Sequence, residues 1–233
     1  MTQSGVITIK PGEIAYFGQL YDPHEIDAVA QEARTAFENL APTGKDEYSN
    51  YGRQRFPISE NNPARILLSA AAAKVLQQGH AAITGSALLE PKVRDTGLLR
   101  KVARQKIMLS RLEIIDTMLV FEPGYHLGAH TDPSHDVRLL TNLGTEEEAV
   151  EYAKSWDPTN RDFHDFYPEE TIQWAPECML PPGHSYIVNN LTGNDKMTPH
   201  RIVAKAQRFM LMQSISGIPM ETTLEVPCTD LKV

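Results

Sequence analysis

The run Pro123-Gly124-Tyr125-His126-Leu127-Gly128-Ala129-His130-Thr131-Asp132 sets an imidazole two residues before a carboxylate. Far downstream, Pro199-His200-Arg201 supplies a second imidazole, and Arg208 follows it. Two neutral imidazoles and one carboxylate are the donor set of a 2-His-1-carboxylate facial triad, which holds Fe(II) and leaves positions open for chemistry. On a regular β-strand residues i and i+2 face the same side, so His130 and Asp132 can converge on one ion. His200 must then come from another strand. Taken singly, each residue has a plainer reading: His130 as an exposed strand residue, Asp132 before Pro133 as turn chemistry.

Other residues compete for roles. His126 lies four residues before His130 and, on a regular strand, shares its face, so it is a rival ligand or a substrate-pocket residue. His135, His164 and His184 read as surface or loop histidines. Arg201 adjoins His200 and is expected on the opposite face, in solvent or an ion pair. Lys205 falls in a turn. Arg53 and Arg55 alternate with Gly52 and Gln54; they are either a solvated edge or, with Arg138, a means of holding a substrate carboxylate. Trp156, Phe163, Phe166 and Tyr167 occupy a long irregular stretch, either as a lid over a metal or as anchors to the core.

These residues need elements to place them. Asp22-Pro23 is an N-cap with proline at the first helical position, and Ile26, Val29, Ala30, Ala33 and Phe37 continue at helical spacing. A second helix is predicted from Asn62-Pro63 to a stop at Gly79, and a third over 96–102. The polar stretch 50–60, with Pro57, reads as a strand edge or loop. From Gln105 onward branched and large apolar residues gather in short runs bounded by turns: 106–110, 112–121, 137–143, 184–188 and 208–215. Glu146-Glu147-Glu148 with Ala149, Val150, Tyr152 and Ala153 is predicted as a short helix between strands. Residues 208–215 should alternate Arg208, Met210, Met212 and Ser214 on one face with Phe209, Leu211, Gln213 and Ile215 on the other. A helical first part followed by short strands implies an α+β or mainly β protein, a sandwich or barrel packed by helices.

Composition bounds the class. The 233 residues fit one domain, and a formal charge of -8 argues against a nucleic-acid partner. Cys178 and Cys228 show no C-x-x-C spacing and favour a reducing compartment. The opening is polar and small, and no apolar run approaches the ~20 residues that span a bilayer. The expectation is a cytoplasmic protein without a membrane or nucleic-acid partner; its oligomeric state is not legible.

From about Ile107 to Ile215 the pattern resembles the Fe(II)/2-oxoglutarate-dependent oxygenases, whose prolyl-hydroxylase-like core is a double-stranded β-helix. The resemblance rests on an ordered set: an apolar strand into Pro123-Gly124, His130-x-Asp132, the strand 138–143, a Gly183-led strand, then His200 and Arg208. It implies a jelly-roll, cupin-like barrel over 105–216, supporting helices and substrate-side elements over 1–104, and an extension over 217–233. It implies that His130, Asp132 and His200 hold Fe(II), and that Arg208 pairs with the remote carboxylate of 2-oxoglutarate. Many members carry Arg-x-Ser at that site, whereas this chain has Arg208-Phe209-Met210; Thr141 is the hydroxyl offered in place of the missing serine.

The implied activity is a dioxygenase reaction using Fe(II), 2-oxoglutarate and O2, with the cosubstrate decarboxylated to succinate and a small molecule hydroxylated. A free amino acid or biosynthetic intermediate is the first choice of substrate. The alternatives are a peptide or protein side chain, or a cupin-like metalloenzyme that uses no 2-oxoglutarate.

Overall fold

Strand β12 shows how this sequence makes a two-sided sheet. In the computed structural model, which describes residues 5–39, 53–58, 78, 112–132, 135–175 and 178–228, it spans Arg208–Ser216. Its side chains alternate as a strand requires. Phe209, Leu211 and Ile215 enter one apolar cluster, and Met210 and Met212 enter another. β12 is buried on both faces and is also an interior strand, paired with β4 on one side and β6 on the other.

The elements in chain order are β1 (Gly5–Ile9), β2 (Ile14–Gln19), α1 (Pro23–Asn39), β3 (Arg53–Ile58), β4 (Glu113–Phe121), β5 (His126–His130), β6 (Asp136–Asn142) and β7 (Glu148–Ser155). Then come β8 (Gln173–Trp174), β9 (Cys178–Leu180), β10 (His184–Asn189), β11 (His200–Val203), β12, and β13 (Leu224–Cys228). A six-stranded sheet runs β2-β10-β6-β12-β4-β3. A second sheet runs β5-β11-β7-β8 with β9 also on β7, and β1 pairs with β13. The ladders among these strands are antiparallel.

The two sheets share an apolar interior, in which Leu119, Phe121, Tyr186, Val188, Met210 and Met212 of the larger sheet meet Val150 of β7. On the larger sheet's outer face α1 lays Ile26, Val29, Ala30 and Ala33 against Val137, Leu139, Ile187 and Leu211. Asp22 caps this helix as its sequence predicts: Oδ1 accepts the backbone N–H of His24 at 2.9 Å and of Glu25 at 3.3 Å. A small third cluster of Ala129, Ala153, Tyr167 and Ile172, with Trp156 and Trp174 beside it, covers the outer face of the smaller sheet. This is a double-stranded β-helix. No described helix is long and apolar enough to cross a membrane.

Several expectations change. Residues 148–155 are strand β7, not a helix. Their Glu- and Ala-rich composition favours helix locally, but pairing with β11, β8 and β9 overrides it. Among the described residues of the first part, β1 and β2 are strands beside the expected helix α1, and β2 extends the larger sheet beside β10. The extension over 217–233 carries β13. Stretch 50–60 does contain a strand, β3, which is an edge among the described residues, where Pro57 is tolerated. The helices predicted at 62–79 and 96–102 and the strand at 106–110 lie outside the described residues, save the single position Gln78.

Leu211 is 1% exposed in the cluster beneath α1. Leu211→Ala is expected to cost about 2–5 kcal/mol. Urea unfolding should show this as a lowered midpoint with an unchanged slope.

Candidate metal centre and adjoining cavity

The site depends on an irregularity in β5. Opposite β11, His130 pairs with His200 and Leu127 with Ile202, so three steps along β5 match two along β11. The extra residue is a β-bulge, and it reverses the side-chain alternation. Leu127 packs with the interior cluster, Ala129 with the outer one, and His130 faces inward beside His200. The same bulge places His126 on the other side of the sheet. There its Nε2 meets Glu169 Oε1 at 2.9 Å with the side chain half exposed. His126 is therefore neither a rival ligand nor a pocket residue; the regular-strand assumption that paired it with His130 does not hold.

Donor atoms of His130, Asp132 and His200 all lie within 4.8 Å of one another. Strand β5 ends at His130, so Asp132 reaches the cluster from the following turn rather than from the strand face. The imidazole centroids are 4.5 Å apart, and His200 Nε2 is 3.6 Å from Asp132 Oδ2. His130 Nδ1 lies 2.8 Å from the Gly128 carbonyl oxygen. Nδ1 must donate there, which makes Nε2 the unprotonated nitrogen, the one able to ligate a metal.

The charge states suit the same purpose. Burial disfavours ionising Asp132, but the Arg138 guanidinium and the two imidazoles outweigh it and hold the carboxyl at about 2. Burial, reinforced by His130, pushes His200 down to about 4. At neutral pH the cluster thus presents a carboxylate and a neutral buried imidazole, the forms that bind a divalent ion. Arg138 hydrogen-bonds Asp132, and its Nε sits 3.0 Å from Asp136 Oδ2. Its charge is committed to two protein carboxylates, which corrects its reading as a substrate anchor.

A cavity leads from His200 to Arg208, passing Val150, Tyr186, Ile202 and Ile14. Arg208 is 3% exposed, and its Nε is buried without a hydrogen bond. The guanidinium carbon lies 5.8 Å from the centre of the Phe121 ring. Thr141, by contrast, is on the wrong face to assist it. Register places Thr141 opposite Leu211 and Ser185, towards α1. Its hydroxyl is 2.8 Å from Ser185 Oγ and hydrogen-bonds Tyr21. The hydroxyl beside Arg208 belongs instead to Tyr186, which lines the cavity and lies near the charges of Arg208, Asp132 and Arg138. Sequence reading overlooked Tyr186. Its odd-even position relative to Arg208 passes through two strand registers that composition does not reveal.

The irregular stretch after β7 borders the His-Asp-His donor cluster. Phe166 bridges to His130, with ring centroids 5.6 Å apart, while Tyr167 N donates to Ala129 O at 2.8 Å. Trp156 and Tyr167 are anchors and Phe163 is 89% exposed. Arg201 faces outward as expected. It pairs with Glu151 at 2.8 Å and Glu169 at 2.5 Å, and lies 4.3 Å from the centre of the Trp174 ring. Lys205 is exposed in the turn between β11 and β12, which is a crossing from one sheet to the other and not the hairpin that the spacing suggests. Positions 53 and 55 oppose Phe121 and Leu119 in the β3–β4 ladder; their side chains lie outside the described set.

No protein-family model and no curated protein matches this sequence. Similarity to solved structures is clear. A prolyl-4-hydroxylase from Pseudomonas putida superposes with a TM-score of 0.52 at 14% identity, over 86% of this chain and 91% of that one. The fold is that of the prolyl hydroxylases. A second prolyl hydroxylase, from Trichoplax adhaerens and solved with a hypoxia inducible factor peptide fragment, gives a TM-score of 0.50 at 11% identity, over 88% of this chain and 83% of that one. At these identities what is shared is the prolyl-hydroxylase fold, and residue roles rest on the geometry above.

Thr141→Val should destabilise the protein by roughly 1–3 kcal/mol, because Ser185 and Tyr21 lose a buried partner. Ligand binding in the Arg208 cavity should not change. Unfolding and titration on the same preparation separate the two effects.

Proposed function

We propose that the protein is an Fe(II)- and 2-oxoglutarate-dependent dioxygenase that hydroxylates a small molecule. The observation that carries this reading is a cavity lined by His200 of the His-Asp-His donor cluster and by a buried Arg208 whose Nε has no hydrogen bond. A buried Arg is costly unless its charge and its N–H groups are both satisfied, and Glu148 at 3.6 Å gives Arg208 an ion pair but no hydrogen bond to Nε. A 2-oxo diacid has a chelating keto-acid end for the metal and a second carboxylate for Arg208. A generic cupin-like metal barrel has no need of Arg208 in that place.

Each residue has a definable task. His130 Nε2, His200 Nε2 and an Asp132 oxygen would hold the metal, with Gly128 fixing one tautomer and Arg138 keeping the carboxylate ionised. Arg208 would orient the cosubstrate through its distal carboxylate, and the Tyr186 hydroxyl lies along its path. Val150 and Ile202 keep that path apolar. When bound, iron with 2-oxoglutarate and O2 supplies the oxidation: the oxo acid leaves as succinate and CO2, and one oxygen atom enters the substrate. The protein contributes orientation and a dry setting.

A free amino acid or biosynthetic intermediate is the expected substrate. The charge of -8 disfavours a polyanion, and the stretch after β7 packs directly beside His130. Turnover of a metabolite panel, read by succinate release and product mass, tests this choice. A product formed only on peptides would shift the reading to a protein side chain.

Anaerobic addition of Fe(II) and then 2-oxoglutarate should give a metal-to-ligand charge-transfer absorption band. A folded protein that gives no band rejects the dioxygenase reading. His200→Ala and Asp132→Ala should lose tight Fe(II) binding while remaining folded. Arg208→Met should keep iron but bind 2-oxoglutarate more weakly by about 2–5 kcal/mol, as when one side of a buried charge pair is removed. Arg208→Lys, which keeps the charge without the planar fork, should raise the apparent KM for 2-oxoglutarate.

A further inference from the structure

Arg208 already faces one carboxylate. Glu148 opens β7, is 7% exposed, and holds Oε2 3.6 Å from Arg208 Nε. That is an ion pair without hydrogen-bond contact, and among the described residues the Glu148 carboxylate accepts no hydrogen bond. Glu148 shares the inward face of β7 with Val150, which lines the cavity. A diacid bound at Arg208 would therefore bring a second carboxylate to a guanidinium that already has one. Two buried carboxylates against a single positive charge leave an uncompensated negative charge, and a shared proton relieves it.

We propose that Glu148 is a cosubstrate-recognition residue that takes up a proton when the distal carboxylate of 2-oxoglutarate reaches Arg208, and donates its O–H to that carboxylate. This rests on the 2-oxoglutarate reading above. The proton comes from solvent, and no other bond forms or breaks. Protonated Glu148 supplies the hydroxyl-type donor that Met210, two residues after Arg208, does not, and that Thr141 cannot offer from the opposite face of the sheet. Burial already raises the Glu148 carboxyl above the usual range, against the pull of Arg208 and with a small push from Glu146. The groups acting on it are thus Arg208 from β12 and Glu146 from its own turn. Tyr186 on β10 lies near the same guanidinium, and β9 opposes Glu148 with Leu180.

The arrangement also sets a preference. A 2-oxo acid without a distal carboxylate leaves the Arg208–Glu148 pair intact and needs no proton. A diacid needs one, so its affinity should fall with rising pH where that of a monoacid does not.

Calorimetric titration of 2-oxoglutarate into Mn(II)-loaded protein, in buffers of differing ionisation enthalpy, counts the protons. The wild type should take up close to one proton per ligand and lose about tenfold in affinity per pH unit above the Glu148 titration. Glu148→Gln should take up none and bind with a flat pH profile. 2-Oxobutyrate, which lacks the second carboxylate, should bind the wild type without proton uptake, a comparison that needs no variant to fold. No proton uptake by the wild type, equal uptake with both oxo acids, or full uptake retained in Glu148→Gln overturns the role of Glu148. If neither protein binds 2-oxoglutarate while both bind Mn(II), the cosubstrate reading itself fails and takes this inference with it.

Discussion

One inserted residue in β5 decides which imidazoles share the barrel interior. Backbone pairing holds His130 opposite His200, and the bulge between Leu127 and His130 turns His130 inward while sending His126 out to Glu169. Without that extra residue, regular alternation would reverse one of those two placements. Gly128 sits inside the irregularity, and its carbonyl fixes the tautomer of His130. The local backbone and the chemistry of the ligand are settled by the same few atoms.

Charge is then distributed to match. At the metal end, two acidic residues surround Arg138 and two imidazoles approach Asp132, so the one carboxylate of the cluster stays ionised despite burial. At the other end the balance is looser, with Arg208 facing Glu148 at ion-pair distance but without a hydrogen bond. The tight arrangement is finished within the protein. The loose one has bonding capacity left over, and the proposed anion site rests on that contrast.

Much of this was legible in the sequence, for reasons that differ by element. The alternation of β12 could be read directly because large apolar residues occupy both faces, and Arg208 fell on the correct side. Asp22-Pro23 announced α1 through capping chemistry, which acts locally. The run Glu146-Glu147-Glu148-Ala149-Val150 misled because helix propensity is local whereas β7 is held by distant strands. Strands β1 and β2 carried a signal that was not used: Val6 and Ile7, Ile9 and Ile14 flank a Pro11-Gly12 turn. Thr141 was misassigned because its facing depends on which strands flank β6 and in what register. His126 was misassigned because a bulge leaves only an isolated glycine as its trace.

The stretch after β7 is stitched to the ligand-bearing strand through its main chain: Tyr167 N donates to Ala129 O, and Thr131 N to Asp165 O at 3.2 Å. Asp165 holds a left-handed backbone with φ of 63° to make this possible. The segment beside the donor cluster is therefore also part of the scaffold that aims His130 and Asp132. Diversification here is constrained. Substitutions at the mouth and substitutions near His130 should not combine independently, since both act through the same shared backbone bonds. Change is more readily accommodated at the exposed tip around Phe163, where side chains can vary and the stitched segments on either side need not.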